Sequence, residues 1–326
     1  VDADTLFRRG LRGRGIDVRA HFGFILAVTA ALVAACGQPG AATVAKTAIQ
    51  PAHAAHAAAP AIRYLGVYER GDLLSYKPVG EFAAAVGRQP NLELYYSAWY
   101  ENFHASFART ARRHGAAPFV DLDPEGTSVA SIAAGGSDSY LRAYARAVRR
   151  FGHSVVISFG HEMNGKWYPW GWTRTPPAVW IEAWRHIVTL FRAAGAKNVT
   201  WMWVVNREAR GEGPIADWWP GSAYVTWTGI DGYYEKSGQN FVSVFDPTIR
   251  AIRALTGKPI LISETAIGQV AGQAAKIPGL FAGIRAHHLL GLVWFDKGQR
   301  DGSHHQDWRL EGHPWAIAAF RRGLGT

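Results

Sequence analysis

Cysteine is almost missing from this chain of 326 residues. Cys36 stands alone, which excludes an internal disulfide framework. Charge is also scarce: Asp, Glu, Lys and Arg make up 18% of the residues against 48% hydrophobic, the balance of a globular protein with a sizeable core. Several motifs are absent as well. No serine lies in a GxSxG frame, so an esterase elbow has no support. His161-Glu162 lacks the second histidine of HExxH, which argues against a zincin. Adjacent histidines in SHHQD (residues 303–307) and the spaced pair His53 and His56 read as loop and spacer rather than as metal ligands. Among apolar runs, Phe22–Ala35 has 14 residues, too short to span a bilayer comfortably but suited to the core of an export signal.

That run follows a basic stretch and ends in Val33-Ala34-Ala35-Cys36, which resembles a bacterial lipobox. Residues 1–36 are therefore expected to be an export signal with Cys36 as the lipidated residue; the alternative is an ordinary cleaved leader. Residues 37–61, rich in Ala and Pro, read as a flexible linker. Together they predict an extracellular or cell-surface protein, held at a bacterial membrane by an N-terminal lipid. Net charge is +10, but residues 1–60 carry six Lys/Arg against three Asp/Glu, leaving 29 against 22 beyond them. The basic residues that remain are strung along helical patterns such as RAYARAVRR (Arg142–Arg150). That is the pattern of a solvated helix face, so no nucleic-acid partner is expected. A monomer is expected.

What is abundant is tryptophan: 14 residues, all after position 60. Stability alone seldom calls for so many, because each buried indole N–H wants a partner. From Arg63 onward, near-continuous apolar segments alternate with helical periodicities. The predicted strands are 64–69, 92–99, 117–123, 154–162, 199–206, 228–234, 259–264 and 290–296. Such runs suit parallel strands covered on both faces. Leu141, Tyr144, Val148 and Phe151 mark one helix, and Trp180, Trp184, Ile187, Val188 and Phe191 another, with Pro176-Pro177 at its start. Eight strands alternating with helices over 62–326 predict a (β/α)8 barrel in a single domain. A doubly wound open sheet is the alternative, but GVYERGDLLSY after the first strand has no phosphate loop.

In such a barrel the active site lies at the C-terminal ends of the strands. Those ends carry Glu69, Trp99, Asp121/Asp123, His161-Glu162, Asn206, Tyr233, Glu264 and Trp294/Asp296. Glu162 and Glu264 close strands four and seven and can converge across the mouth. Two carboxylates at close range push their proton affinities apart, so one can serve as acid while the other stays ionised. Glycosidic bond cleavage needs that division of labour; a salt-bridged pair of core glutamates is the bland alternative. Indoles tilt the choice, since pyranose rings stack on flat aromatic faces. Trp167 and Trp294 are the expected platforms, whereas Trp180, Trp184, Trp201 and Trp203 fall in packing phase.

GHEMNGKWYPWG (160–171) resembles the acid/base segment of glycoside hydrolase family 26. WMWVVN, GIDGYY, LISETAIG and LVWFD resemble that family's fifth to eighth strands. The resemblance implies that Glu162 is the general acid/base and Glu264 the nucleophile. It places His161 where most related families have Asn, Tyr233 as hydrogen-bond donor to the nucleophile, and Asn206 near it. Trp167 and Trp294 would stack on sugars, while Trp99, Glu69, Glu101, Asp121 and Asp296 are further cleft candidates. The implied activity is endo-acting, retaining hydrolysis of a β-linked polysaccharide, β-1,4-mannan by family default, with no metal or organic cofactor. Mixed-linkage β-glucan, β-1,3-xylan and transglycosylation of an envelope polysaccharide are the alternatives within the class. A non-catalytic sugar-binding lipoprotein is the alternative outside it.

Overall fold

The computed structural model describes residues 61–209, 211–299 and 306–326. The predicted export signal, Cys36, linker residues 37–60, His53, His56 and the His304-His305 pair lie outside the described residues. Eight parallel strands close into a barrel in chain order: β1 (Tyr64–Glu69), β2 (Leu92–Ala98), β3 (Ala117–Asp123), β4 (Val155–Phe159), β5 (Val199–Asn206), β6 (Trp227–Asp231), β7 (Ile260–Thr265) and β8 (Gly291–Asp296). The seam pairs all six residues of β1 with β8, from Tyr64 opposite Gly291 to Glu69 opposite Asp296. Closure excludes the open doubly wound sheet.

Helices α1 (Lys77–Val86), α2 (Ala105–Arg113), α3 (Val129–Ala133), α4 (Asp138–Phe151), α5 (Pro177–Ala193), α6 (Phe241–Leu255), α7 (Gln273–Ala286) and α8 (Pro314–Leu324) make up the outer layer. Local sequence explains them well. α4 buries Leu141, Tyr144, Ala145 and Val148 on one stripe and stops at Gly152, whose φ of 73° only glycine adopts without strain. α6 opens with a capping box, Asn240 and Ser243 bonding each other's backbone N–H at 2.9 and 3.0 Å. Strand β5 is followed by two 3₁₀ turns, Ile215–Trp218 and Ser222–Tyr224, instead of an α-helix, and two helices, α3 and α4, fill the gap after β3. A short antiparallel pair, β9 (Gly298–Gln299) and β10 (Gln306–Asp307), follows β8.

Alternation along the strands divides the core. Leu92, Leu94, Phe119, Val156, Met202, Val204, Leu261 and Val293 form a small plug inside the barrel, while a much larger apolar layer lies between strands and helices. Above the plug the same inward phase continues with Tyr68, Tyr96, Asp121, Ser158, Asn206, Asp231 and Phe295. Polar side chains so deep must find partners or change charge.

Candidate active site

Glu162 stands three residues beyond β4. Gly160 and Glu162 both have φ of 51°, and Glu162 N–H still bonds Val204 O at 3.2 Å. A left-handed conformation in a non-glycine residue costs about 1–3 kcal/mol, and such strain clusters at functional sites. It is held in place by its neighbours. A side chain at Gly160 would come within 3.0 Å of Trp180 Nε1. Asn164 clamps the end of β5 by accepting from Asn206 N–H at 2.9 Å and donating to Asn206 O at 3.0 Å. Asn206 is thereby aimed to donate to Glu162 Oε1 at 2.5 Å, while Trp167 Nε1 donates to Oε2 at 2.7 Å. Gly165 lies beneath the Trp167 ring, where a Cβ would sit 2.4 Å from it.

Glu264 reaches the mouth by a different device. In β7, Leu261 and Ser263 point inward, so plain alternation would turn Glu264 out. The pairing slips, however: Ile230 faces Ile262 but Asp231 faces Glu264, and the β7–β8 register slips in the same place. This bulge re-aims Glu264 into the barrel. Ser263 still bonds Asp231 from inside, at 2.6 Å. Tyr233 OH donates to Glu264 Oε2 at 2.5 Å, and Tyr96 OH, from across the barrel, donates to Oε1.

Beside Glu264 lies a buried imidazole. His161 Nδ1–H donates to Asp123 Oδ1 at 2.9 Å, and Nε2 meets the Tyr168 hydroxyl at 3.1 Å. Tyr168 is stacked on Trp170, rings 4.4 Å apart, and Trp170 Nε1 bonds His161 O at 2.8 Å. One atom each of His161, Asp121 and Glu264 lies within 4.8 Å of the others, but both ring nitrogens of His161 are already engaged, so this trio does not suit a metal. Burial opposes a charge on the ring, yet Asp123 and then Asp121 outweigh it and hold the imidazolium well above its ordinary range. Glu264 is pushed up to about 7. Burial is the largest cause; His161 opposes it, Glu162 adds to it, and the bonds from Tyr233 and Tyr96 oppose it. Asp121 and Asp231 are held well above the carboxylate range, chiefly by burial. Below the two glutamates, then, the His161 imidazolium sits among Asp123, Asp121 and Glu264, whose charges favour its proton while burial raises their own proton affinities.

Of the residues singled out in the sequence, Glu162, Glu264, His161, Tyr233, Asn206 and Trp167 meet at this mouth. Others do not. Trp294 is fully buried and packs edge-on against Phe320 of α8, its N–H bonding Asp296 and the Trp308 carbonyl; its strand phase points outward. Phe295, stacked on Tyr68 and edge-on to Tyr233, takes the inward place. Trp99 is also turned out, bonded to Ser137 Oγ at 3.1 Å and packed on Phe159. Glu69 and Asp296 stand behind the cleft wall in the same outward phase. Glu101 caps its own turn, accepting from Ala98 N–H at 3.1 Å. Asp121 faces inward but is fully buried beneath His161 and Glu264, out of reach of a sugar. Tyr96, Asn164 and Tyr168 escaped the sequence reading as site residues, and Asp123, noted there at the end of β3, was given no role beside His161. For Tyr96 a signal existed, since it continues the inward phase of Leu92 and Leu94.

A (β/α)8 barrel with one glutamate beyond β4 and another at the end of β7, each held by hydrogen bonds from neighbouring side chains, has the architecture that suits a glycoside hydrolase. Comparison with known proteins narrows the class. The sequence model of glycosyl hydrolase family 26 matches residues 141–272. Endoglucanase H of Acetivibrio thermocellus is 30% identical over 269 residues, 77% of this chain, and the chain spans 29% of that protein's length. Among solved structures, the endo-β-1,4-mannanase catalytic domain of Bacillus sp. JAMB-750 superposes with a TM-score of 0.61 at 17% identity, covering 81% of this chain and 85% of that one. A family 26 β-mannanase from Bacteroides ovatus gives 0.57 at 14%, covering 80% and 87%; these two share the fold. The barrel is a glycosyl hydrolase family 26 catalytic domain.

Proposed function

We propose that this domain cleaves a β-linked polysaccharide internally and with retention of configuration, Glu264 acting as nucleophile and Glu162 as acid/base. The arrangement of the two carboxylates carries this reading. Glu264 takes hydrogen bonds from two phenols and has the His161 imidazolium beside it; all three favour its anion. Glu162 borders the half-exposed Trp167 on the open side of the mouth. In the first step a Glu264 oxygen forms a bond to the anomeric carbon as the glycosidic C–O bond breaks, and the Glu162 proton passes to the departing oxygen. In the second, Glu162 takes a proton from water, whose oxygen bonds the anomeric carbon and releases Glu264. Retention calls for carboxyl groups about 5–5.5 Å apart. Trp167 offers a sugar platform, and its N–H holds Glu162 through both steps.

β-1,4-Mannan is the substrate the family resemblance implies. A β-glucan is the second reading, favoured by the 30% identity to a protein named Endoglucanase H. Wild type and Glu264→Ala would be incubated with β-mannan, lichenan, β-1,3-xylan and cellulose. Product release, and the anomeric configuration of the first product followed by NMR, are the readouts. Wild type should release oligosaccharides with retained configuration from one polymer, and the variant should lose about 10³-fold or more. An equally active variant, or an inverted first product, would refute the assignment. Surface attachment through a lipid on Cys36 remains a separate proposal, tested by metabolic labelling with a fatty acid in wild type and Cys36→Ser.

A further inference from the structure

Behind the cleft wall, where β1 meets β8, Glu69 and Asp296 stand side by side in register. Glu311, from the loop after β10, joins them, and one oxygen of each lies within 4.8 Å of the other two. Glu69 is 7% and Asp296 2% exposed. Asp296 Oδ1 is fixed by Leu310 N–H at 2.8 Å and Trp294 Nε1 at 3.1 Å. Among the described residues its Oδ2 has no donor, and neither has Glu69 Oε1, though both atoms are buried and the two carboxyls lie within hydrogen-bond reach of each other. Buried carboxylate oxygens without a partner are costly. No basic side chain is ion-paired with any of the three among the described residues; Arg309, close by, is held by Asp307 through two bonds of 2.8 and 2.7 Å. Asp72 and Glu81 add to the negative field at Glu69.

We propose that Glu69, Asp296 and Glu311 bind a divalent cation, calcium by the chemistry of the donors, which clamps the barrel seam to the loop carrying Trp308. The donors are all hard oxygens, the set is irregular, and two of the oxygens are buried with no other partner. Calcium accepts about 6–8 oxygens in flexible geometry, whereas magnesium insists on a near-ideal octahedron and keeps its water. Solvent on the Glu311 side would complete the shell. Trp308 packs against Tyr233, rings 5.2 Å apart, so the clamp would brace the wall that holds Tyr233 against Glu264. The competing account is a proton shared by Glu69 and Asp296.

The test uses EDTA-treated full chain, with melting followed in about 2 mM calcium and in the same concentration of magnesium. Wild type, Asp296→Asn and Glu311→Gln are compared; the asparagine keeps an acceptor for Leu310, and Glu311 is on a loop where glutamine leaves packing intact. Calcium should raise the wild-type Tm by about 3–6 °C, more than magnesium does, and by less than about 1 °C in both variants. Terbium luminescence sensitised by the adjacent indoles should saturate in wild type, be competed by calcium, and disappear in Glu311→Gln. No calcium effect on wild type with no saturable terbium signal overturns the proposal, as does an equal Tm rise in both variants. A Tm that ignores calcium, with a pH slope that is flatter in Asp296→Asn than in wild type, assigns the pair to a shared proton instead.

Discussion

Tyr233 links the fold to the chemistry through one oxygen. Its bond to Glu264 lowers the proton affinity that burial raises; in the proposed mechanism Glu264 attacks as the anion, so activity should fall as pH drops through the Glu264 value of about 7. Tyr233→Phe removes the donor and keeps the ring. The acidic limb of kcat/KM should move to higher pH by about one unit, and kcat at pH 6 should fall about 10-fold or more. Titrating the rate of both proteins checks this; a limb that stays in place would mean that Tyr233 does not touch the ionised nucleophile. At this scale the sequence was uneven. His161-Glu162 and Trp167 lie within seven residues of each other, and their shared loop made them readable together. Tyr96 reaches Glu264 from 168 positions away, and no local pattern records such a partner.

β8 shows why strand phase matters more than residue type. Trp294 looks like a sugar platform in isolation, yet the inward phase belongs to Val293 and Phe295, and the indole goes to α8. β7 shows the reverse: its bulge turns Glu264 inward against simple alternation. A bulge depends on how neighbouring strands pair, so it is invisible in the segment itself. The start of β8 offers a test of the seam. Gly291 has φ of 148°, and a Cβ there would lie 1.9 Å from Tyr64 O on β1. Gly291→Ala should destabilise by about 3 kcal/mol or more. Gly312→Ala, with φ of 76° and nothing within 4 Å, should cost about 1 kcal/mol. Thermal melts of the two variants give the comparison, and equal losses would show that the seam is slack at Gly291.

Over the whole molecule, burial of acid sets how stability responds to pH. Asp72 is pushed up to about 8, Glu93 and Glu264 to about 7, and Asp121 and Asp231 higher than ordinary carboxylates, in each case chiefly by burial. A carboxyl whose folded value lies above its unfolded one supports the fold fully below the unfolded value, near 4 to 4.5, and loses that support as pH rises through the folded value. In EDTA, Tm should therefore fall by about 5 °C or more between pH 5 and 9, and Asp121→Asn should flatten the slope. A Tm that rises with pH over that range would contradict it. The sequence by itself determined the eight strands, the barrel they close and the two glutamates at its mouth. Apolar runs, helical stripes and glycine stops are local, and the C-terminal ends of parallel strands must converge once the barrel closes. Only the tertiary structure decided which side chains face the cleft, which donors hold each carboxylate, and that Glu69 and Asp296 belong to the seam behind it. Those outcomes depend on register, bulges and burial, which arise between segments far apart in the chain.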